Sequence, residues 1–385
     1  MKAYFLIFIM LASLLKPAAQ SYEVGSTTVT FVDPDRNNRQ IPTAIYYPAV
    51  QAGQNTPLAP GEFPVISFGH GFVMVHTAYQ FLWLHLVSKG YILAFPTTEG
   101  SFSPNHLNFG LDLAFIITQM KIESQNENSL FYNAVAETSA IMGHSMGGGA
   151  SFLGSENNDE PTTMVTFAAA ITNPSSVQAA ANVSIPTLLF AGEFDCVTPP
   201  GQHQYPMYEA TASDRKIIID ISGGGHCFFA DYNLFCSIGE ASCSPQPSVS
   251  REEQQTTTLD FLTPYFDYML KGNEAAWQVF LDSLQTSARI DYLMDWNTVS
   301  ASIKKSEYEL LVYPNPFRNE FTVEIPGPGQ FDSLVVWNSK GQQVYAQSLK
   351  GQTLIQINTR PWQKGAYFIA LVSEKDTVVR KVLKR

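Results

Sequence analysis

The chain has 385 residues, 45% of them hydrophobic and 12% aromatic, so it can bury a sizeable core and is too long for one ordinary domain. Its net charge of −11 is unevenly placed: residues 300–385 carry 12 Lys and Arg against 7 Asp and Glu, leaving 11 against 27 in the first 299. So acidic a main body argues against nucleic acid as a partner.

In chain order, Lys2 followed by the apolar run Tyr4–Leu15 and by Pro17-Ala18-Ala19-Gln20 reads as a secretory signal peptide over residues 1–20. The run is about a dozen residues, short of the roughly 20 a spanning helix needs, and no other segment is a candidate membrane span. An exported protein is expected. Thr27–Val32 and Pro42–Tyr47 read as strands, and Phe63–Phe68 as a buried strand running into Gly69-His70-Gly71-Phe72. Tyr79–Lys89 has helical spacing with Gly90 at the C-cap position, and Tyr91–Phe95 is a strand stopped by Pro96. Leu111–Ile122 and His203–Ala210 read as helical, Ala140–Met142, Met164–Ala169, Thr187–Ala191 and Lys216–Ile221 as strands, and Glu252–Lys271 and Glu274–Leu284 as closing helices. Strands alternating with helices predict an α/β domain over residues 21–297, a mostly parallel sheet with helices on both faces and its site at the strands' carboxyl ends. After a linker at 298–307, residues 308–385 read as short strands punctuated by Gly, Pro and Asn, which predicts a small all-β sandwich.

The stretch with chemical content is Gly143-His144-Ser145-Met146-Gly147, a G-x-S-x-G pattern with a largely apolar run before it and small residues after it. It reads as a strand turning sharply into a helix with a serine on the turn, where a Cβ at Gly143 or Gly147 would crowd the neighbouring strand and helix. A serine hydroxyl needs a base, and the base an orienting carboxylate. In this architecture they follow in the order Ser, acid, His. Asp195 after the Thr187–Ala191 strand is the candidate acid, ahead of Glu193 and Asp220. His226 after the next strand is the candidate base, ahead of His70, His144 and His203. The N–H groups of Met146 and Phe72, with Val73 a near neighbour, are the candidate oxyanion donors. His144 within the elbow and His70 in an earlier loop are expected to have structural or hydrogen-bonding roles, and His144 and Gly71 to contact substrate. This chemistry needs no cofactor and no metal.

Export makes Cys196, Cys227, Cys236 and Cys243 disulfide candidates, and without CxxC spacing a metal site is the weaker reading. Four cysteines allow three connectivities. The favoured one joins Cys236 to Cys243 across a short loop and Cys196 to Cys227, stapling the acid loop to the base loop.

Residues 21 to about 290 resemble the α/β-hydrolase fold, in the branch of cutinase-like polyester hydrolases, dienelactone-hydrolase-like proteins and plant chlorophyllases. The resemblance is carried by Phe-Gly-His-Gly-Phe (68–72), Leu-Val-Ser-Lys-Gly-Tyr (86–91), Gly-His-Ser-Met-Gly-Gly-Gly (143–149), Ile-Pro-Thr-Leu-Leu-Phe-Ala-Gly-Glu-Phe-Asp (185–195), Tyr205-Pro206-Met207-Tyr208 and Gly-Gly-Gly-His (223–226). It implies triad roles for Ser145, Asp195 and His226, with Phe72 and Met146 as oxyanion donors. Polyester hydrolases of that branch carry a Trp after the strand following the elbow helix, and Phe167–Thr172 has none. Leu311–Phe317, with its Pro314-Asn315-Pro316, together with Ser339-Lys340-Gly341, Lys364-Gly365-Ala366-Tyr367 and the basic end Arg380–Arg385, resembles the C-terminal sorting domain of type IX secretion cargo. This implies the type IX machinery as a partner and a secreted or cell-surface protein.

The leading expectation is a secreted serine hydrolase cleaving carboxylic esters of small molecules, lipids or polymers, aromatic polyesters among them. A chlorophyllase- or lipase-like esterase is the alternative within that class. An exopeptidase is disfavoured because no propeller or cap domain is evident, and a non-catalytic surface adhesin on a hydrolase scaffold is the alternative from another class.

Overall fold

The computed structural model describes residues 21–296, 310–326, 329–338, 342–373 and 377–384. The expected signal peptide, the linker at 298–307 and the Ser339-Lys340-Gly341 motif lie outside the described residues. The chain divides into two compact units.

The first unit is built on a sheet of ten strands among the described residues. These are β1 (Glu23–Asp33), β2 (Arg39–Ala49), β3 (Gly53–Gln54), β4 (Phe63–Gly69), β5 (Ile92–Pro96), β6 (Val135–His144), β7 (Thr163–Phe167), β8 (Thr187–Gly192), β9 (Arg215–Ile221) and β10 (Ile290–Trp296). Their spatial order is β10-β9-β8-β7-β6-β4-β5-β2-β1-β3. The run from β9 to β5 is parallel throughout, whereas β1, β2 and β10 pair antiparallel. The helices are α1 (Gln80–Ser88), α2 (His106–Gln125), α3 (Met146–Ser155), α4 (Ser176–Ala180), α5 (Gln204–Ala210), α6 (Leu234–Glu240), α7 (Arg251–Lys271) and α8 (Glu274–Thr286). This is the expected mostly parallel α/β fold.

The central strands are apolar at consecutive positions because both faces are covered. Leu188, Phe190, Ile217 and Ile219 pack with Leu82, Phe261, Tyr265 and Phe280 of α1, α7 and α8. Their neighbours Leu189 and Ile218 turn to the other face and pack with Phe109, Leu113, Phe152 and Met207 of α2, α3 and α5. Helix ends follow local chemistry. Asn105 caps α2, and Ser250 and Glu253 form a reciprocal capping box on α7, which stops at left-handed Gly272.

β10 and α6 are among the elements without a signal in the sequence pattern. β10 is an edge strand with mostly exposed residues, and α6 is a short helix that leaves Leu234, Phe235 and Ile238 exposed. Neither has the buried stripe that periodicity detects.

The second unit holds β11 (Leu311–Tyr313), β12 (Glu320–Glu324), β13 (Ser333–Asn338), β14 (Gln343–Ser348), β15 (Leu354–Asn358), β16 (Gly365–Val372) and β17 (Thr377–Lys384). They form two antiparallel sheets, β11-β12-β15 and β14-β13-β16-β17. Phe321, Val323 and Ile357 from one sheet share a core with Leu334, Val336, Ile369 and Leu371 from the other. A small all-β sandwich was the expected architecture.

Candidate active site

β6 delivers Gly143 and His144 to a turn at which Ser145 takes φ 55° and ψ −117°, and α3 begins at the next residue. A β-carbon on Gly143 would lie 2.3 Å from the Gly147 carbonyl oxygen. The elbow closes because both positions are glycine, and the strained backbone at Ser145 is held by the elements around it. Its N–H donates to the Phe167 carbonyl at 2.9 Å, and its own carbonyl accepts from Gly149 and Ala170.

The loops after β8 and β9 meet this elbow. His226 Nε2 lies 3.0 Å from Ser145 Oγ, and His226 Nδ1 lies 2.8 Å from Asp195 Oδ2. All three side chains are buried. The N–H groups of Val197 and Thr198 both donate to Asp195 Oδ1 at 2.8 Å, and the Thr198 hydroxyl lies 2.8 Å from Oδ2. Burial pushes the Asp195 carboxyl up. The charge and hydrogen bond of His226, with the bonds from Thr198, outweigh it and hold the carboxyl below its ordinary value. The loop after β9 is clamped by Gln254, whose amide accepts from the Gly225 N–H and donates to the Gly225 carbonyl, each at 2.8 Å.

The other candidates lie elsewhere in the network. Glu193 accepts from the Gly223 N–H at 2.8 Å, while Asp220 accepts from the Tyr205 hydroxyl at 3.2 Å and is pushed up to about 6, chiefly by burial. His203 accepts the Ile171 N–H on Nδ1, and His70 sits between the carbonyls of Gly71 and Thr98. Met146 opens α3, and Phe72 stands in a turn where Val73 has φ 55°.

The two residues expected to contact substrate are both buried. His144 is fully buried, with Nδ1 3.0 Å from the Tyr79 hydroxyl and Nε2 3.1 Å from the His226 carbonyl. Gly71 is buried as well, its N–H donating to the Tyr79 hydroxyl at 2.8 Å. Both are committed to bonds inside the protein, because Tyr79 fills the space behind the elbow.

The favoured disulfide pairing is corrected. The bridges are Cys196–Cys243 and Cys227–Cys236, with Cα–Cα distances of 5.3 and 5.7 Å. The turn of α6 returns Cys236 to Cys227, and the chain after it brings Cys243 over the acid loop. The two loops are already joined directly by the His226–Asp195 contact and by the Phe194 N–H donating to the Gly224 carbonyl at 2.8 Å. Each disulfide therefore ties α6 and the turn after it down beside one of the two loops.

Sequence reasoning missed Thr198, Tyr79, Gln254 and an exposed aromatic row. In that row Phe72 packs edge-on against Phe102 at 6.2 Å, and Phe102 against Phe235 at 6.1 Å. The position of Thr198 three residues after the acid was a usable signal. The others come from distant segments and left none. Among the described residues no group of three or more His, Cys, Asp or Glu is placed to hold a metal ion, and no helix is long and apolar enough to cross a membrane.

Comparison with known proteins agrees with this architecture. Residues 12–244, more than half of the chain, match the PET hydrolase-like family, and residues 311–385 match the secretion system C-terminal sorting domain. Chlorophyllase-1 of Arabidopsis thaliana is 29% identical over 165 residues, covering 42% of this chain and 48% of that protein. The chloroplastic chlorophyllase-1 of Citrus sinensis is 33% identical over 101 residues, covering 25% of this chain and 30% of that protein. The chain thus spans about half or less of the length of these curated relatives. The chain belongs to the PET hydrolase-like family and carries a C-terminal sorting domain that directs export.

Proposed function

We propose that this chain is a serine hydrolase that cleaves carboxylic ester bonds through an acyl-enzyme intermediate. The observation that carries the reading is the unbroken contact from Ser145 Oγ to His226 Nε2 at 3.0 Å and from His226 Nδ1 to Asp195 Oδ2 at 2.8 Å, on a strained elbow. Ser145 attacks the ester carbonyl while His226 takes its proton, and Asp195 holds the imidazole in the tautomer that presents a bare Nε2. The N–H groups of Phe72 and Met146 receive the developing oxyanion. His226 then protonates the departing alkoxide, and a water activated by the same imidazole releases the acid. No step needs a cofactor. Residues 21–297 form the hydrolase part, residues 1–20 a leader lost on export, and residues 308–385 the address read by the type IX machinery.

The aromatic row of Phe72, Phe102 and Phe235 favours esters with apolar or aromatic groups, lipid or polyester esters among them. A panel of chromogenic esters from acetate to palmitate, with an aromatic diester, tests the reading alongside labelling by a fluorophosphonate probe. Turnover with the label on Ser145 is expected. A chain that hydrolyses none of the esters and takes no label overturns it.

A further inference from the structure

We propose that His144 and Tyr79 are positioning residues that tie the loop of one oxyanion donor to the loop of the general base. The proposal rests on the triad reading above. Three contacts carry it: the Gly71 N–H to Tyr79 Oη at 2.8 Å, Tyr79 Oη to His144 Nδ1 at 3.0 Å, and His144 Nε2 to the His226 carbonyl at 3.1 Å.

The direction of every bond follows from the last. A carbonyl only accepts, so His144 Nε2 carries the hydrogen. In the neutral ring Nδ1 is then an acceptor. Tyr79 gives its one proton to Nδ1, and its oxygen accepts from Gly71. Each donor has an acceptor, and neither ring nitrogen of His144 is left over. Both side chains are fully buried. Burial first, then the neighbouring His226, pushes His144 down to about 3, and burial pushes the Tyr79 hydroxyl up, so both keep these protonation states around neutral pH.

The two ends of this chain of bonds are the two places where the mechanism needs a fixed backbone. Gly71 precedes Phe72 in a turn closed by the Met74 N–H on the Gly71 carbonyl at 3.0 Å, and Val73 within it has φ 55°. A β-branched residue avoids that region, so the turn must be held from outside. A β-carbon on Gly71 would lie 2.6 Å from Met74 Sδ and 3.2 Å from His144 Nδ1, so the loop sits directly on the bond network. At the other end the His226 carbonyl belongs to the residue whose ring must face Ser145. The ring centroids of His144 and His226 are 4.9 Å apart. Tyr79 and His144 therefore set the separation between oxyanion donor and base, which a rate-limiting acylation senses and ground-state binding does not.

The test uses the full chain and the ester that wild type turns over best, with kcat, KM and the thermal midpoint measured for Tyr79→Phe, His144→Leu, the double variant and His144→Gln. Tyr79→Phe and His144→Leu are each expected to lower kcat by roughly 10- to 100-fold with KM little changed, as for groups that act on the transition state alone. The double variant should lose little more than either single one, because both cut the same chain of bonds. His144→Gln should recover most of the rate, since an amide offers one donor and one acceptor side by side. Tyr79→Phe removes one oxygen and keeps the ring, so it decides the question if His144→Leu fails to fold. Wild-type kcat in Tyr79→Phe, or losses that are additive and fall equally on KM, overturn the proposal and leave the triad standing. A wild-type chain without ester turnover overturns the triad reading, and this proposal with it.

Discussion

Gly147 and Gly69 touch backbone to backbone: a β-carbon on Gly147 would lie 2.1 Å from the Gly69 carbonyl oxygen. The first turn of α3 is thereby pressed against the end of β4, which brings Met146 and the His70–Phe72 loop to the same end of the sheet.

Gly147→Ala should cost more than about 4 kcal/mol, in the range reserved for changes that force a backbone apart. Gly201→Ala, where a β-carbon meets nothing within 4 Å, should stay within about 0.5 kcal/mol of wild type. Thermal unfolding of the pair checks this. Equal stability would mean that the elbow has room the structure does not show.

Ser145→Ala should remove ester turnover while leaving the fold intact. Asp195→Asn should lose on the order of 10⁴-fold in kcat, by the tautomer argument. Thr198→Val removes one of the polar groups around the Asp195 carboxylate and should cost roughly ten- to a hundredfold. A Ser145→Ala protein keeping a tenth of the wild-type rate would sink the nucleophile assignment. Greater damage from Glu193→Gln or Asp220→Asn than from Asp195→Asn would move the acid.

The two disulfides should differ in worth. Cys196–Cys243 closes a segment of 47 residues and Cys227–Cys236 one of 9. In the chain-entropy account these contribute about 4 and about 2.6 kcal/mol. Replacing each pair by serine and following thermal unfolding gives the comparison. Peptide mapping of the non-reduced protein should recover these two pairs, and a Cys196–Cys227 peptide would contradict the structure.

Stability should fall as the pH drops below about 6.5. The unfolded chain protonates its histidines near that value, whereas His144 in the folded state waits until about 3, chiefly because of burial. A group with a lowered histidine value contributes stability above the unfolded value and loses it on the acid side. The share of His144 between pH 7 and pH 5 is on the order of 2 kcal/mol. His85, pushed down to about 4 by burial and by Lys89, works in the same direction. Asp220, pushed up to about 6 by burial, opposes them, since its share is lost as the pH rises from about 4 to 6. The thermal midpoint of His144→Gln should therefore depend less steeply on pH than that of wild type. Parallel curves would show that His144 titrates normally.

Removing residues 308–385 should leave turnover of small esters nearly unchanged and stop export in the native host. All proposed catalytic and oxyanion residues lie between Phe72 and His226, and the second unit has its own core. A truncated chain that stays folded but loses turnover would make the tail part of the site.

Short-range patterns in the sequence already carried the architecture. Strand and helix periodicity, the two elbow glycines around Ser145, and the order of serine, acid and histidine at successive strand ends are local statements, enforced by sterics and by the two-residue repeat of a buried strand. The sorting unit was legible for the same reason, through its punctuated strands and basic end. Tertiary structure alone decided what depends on chain segments meeting. Tyr79 reaches His144 across 65 positions, His144 reaches the His226 carbonyl across 82, and Cys196 finds Cys243 across 47. None of these partners has a spacing rule. His144 adjoins Ser145 in sequence, yet the turn at Ser145 separates the two side chains, and the His144 ring is fully buried between Tyr79 and the His226 carbonyl.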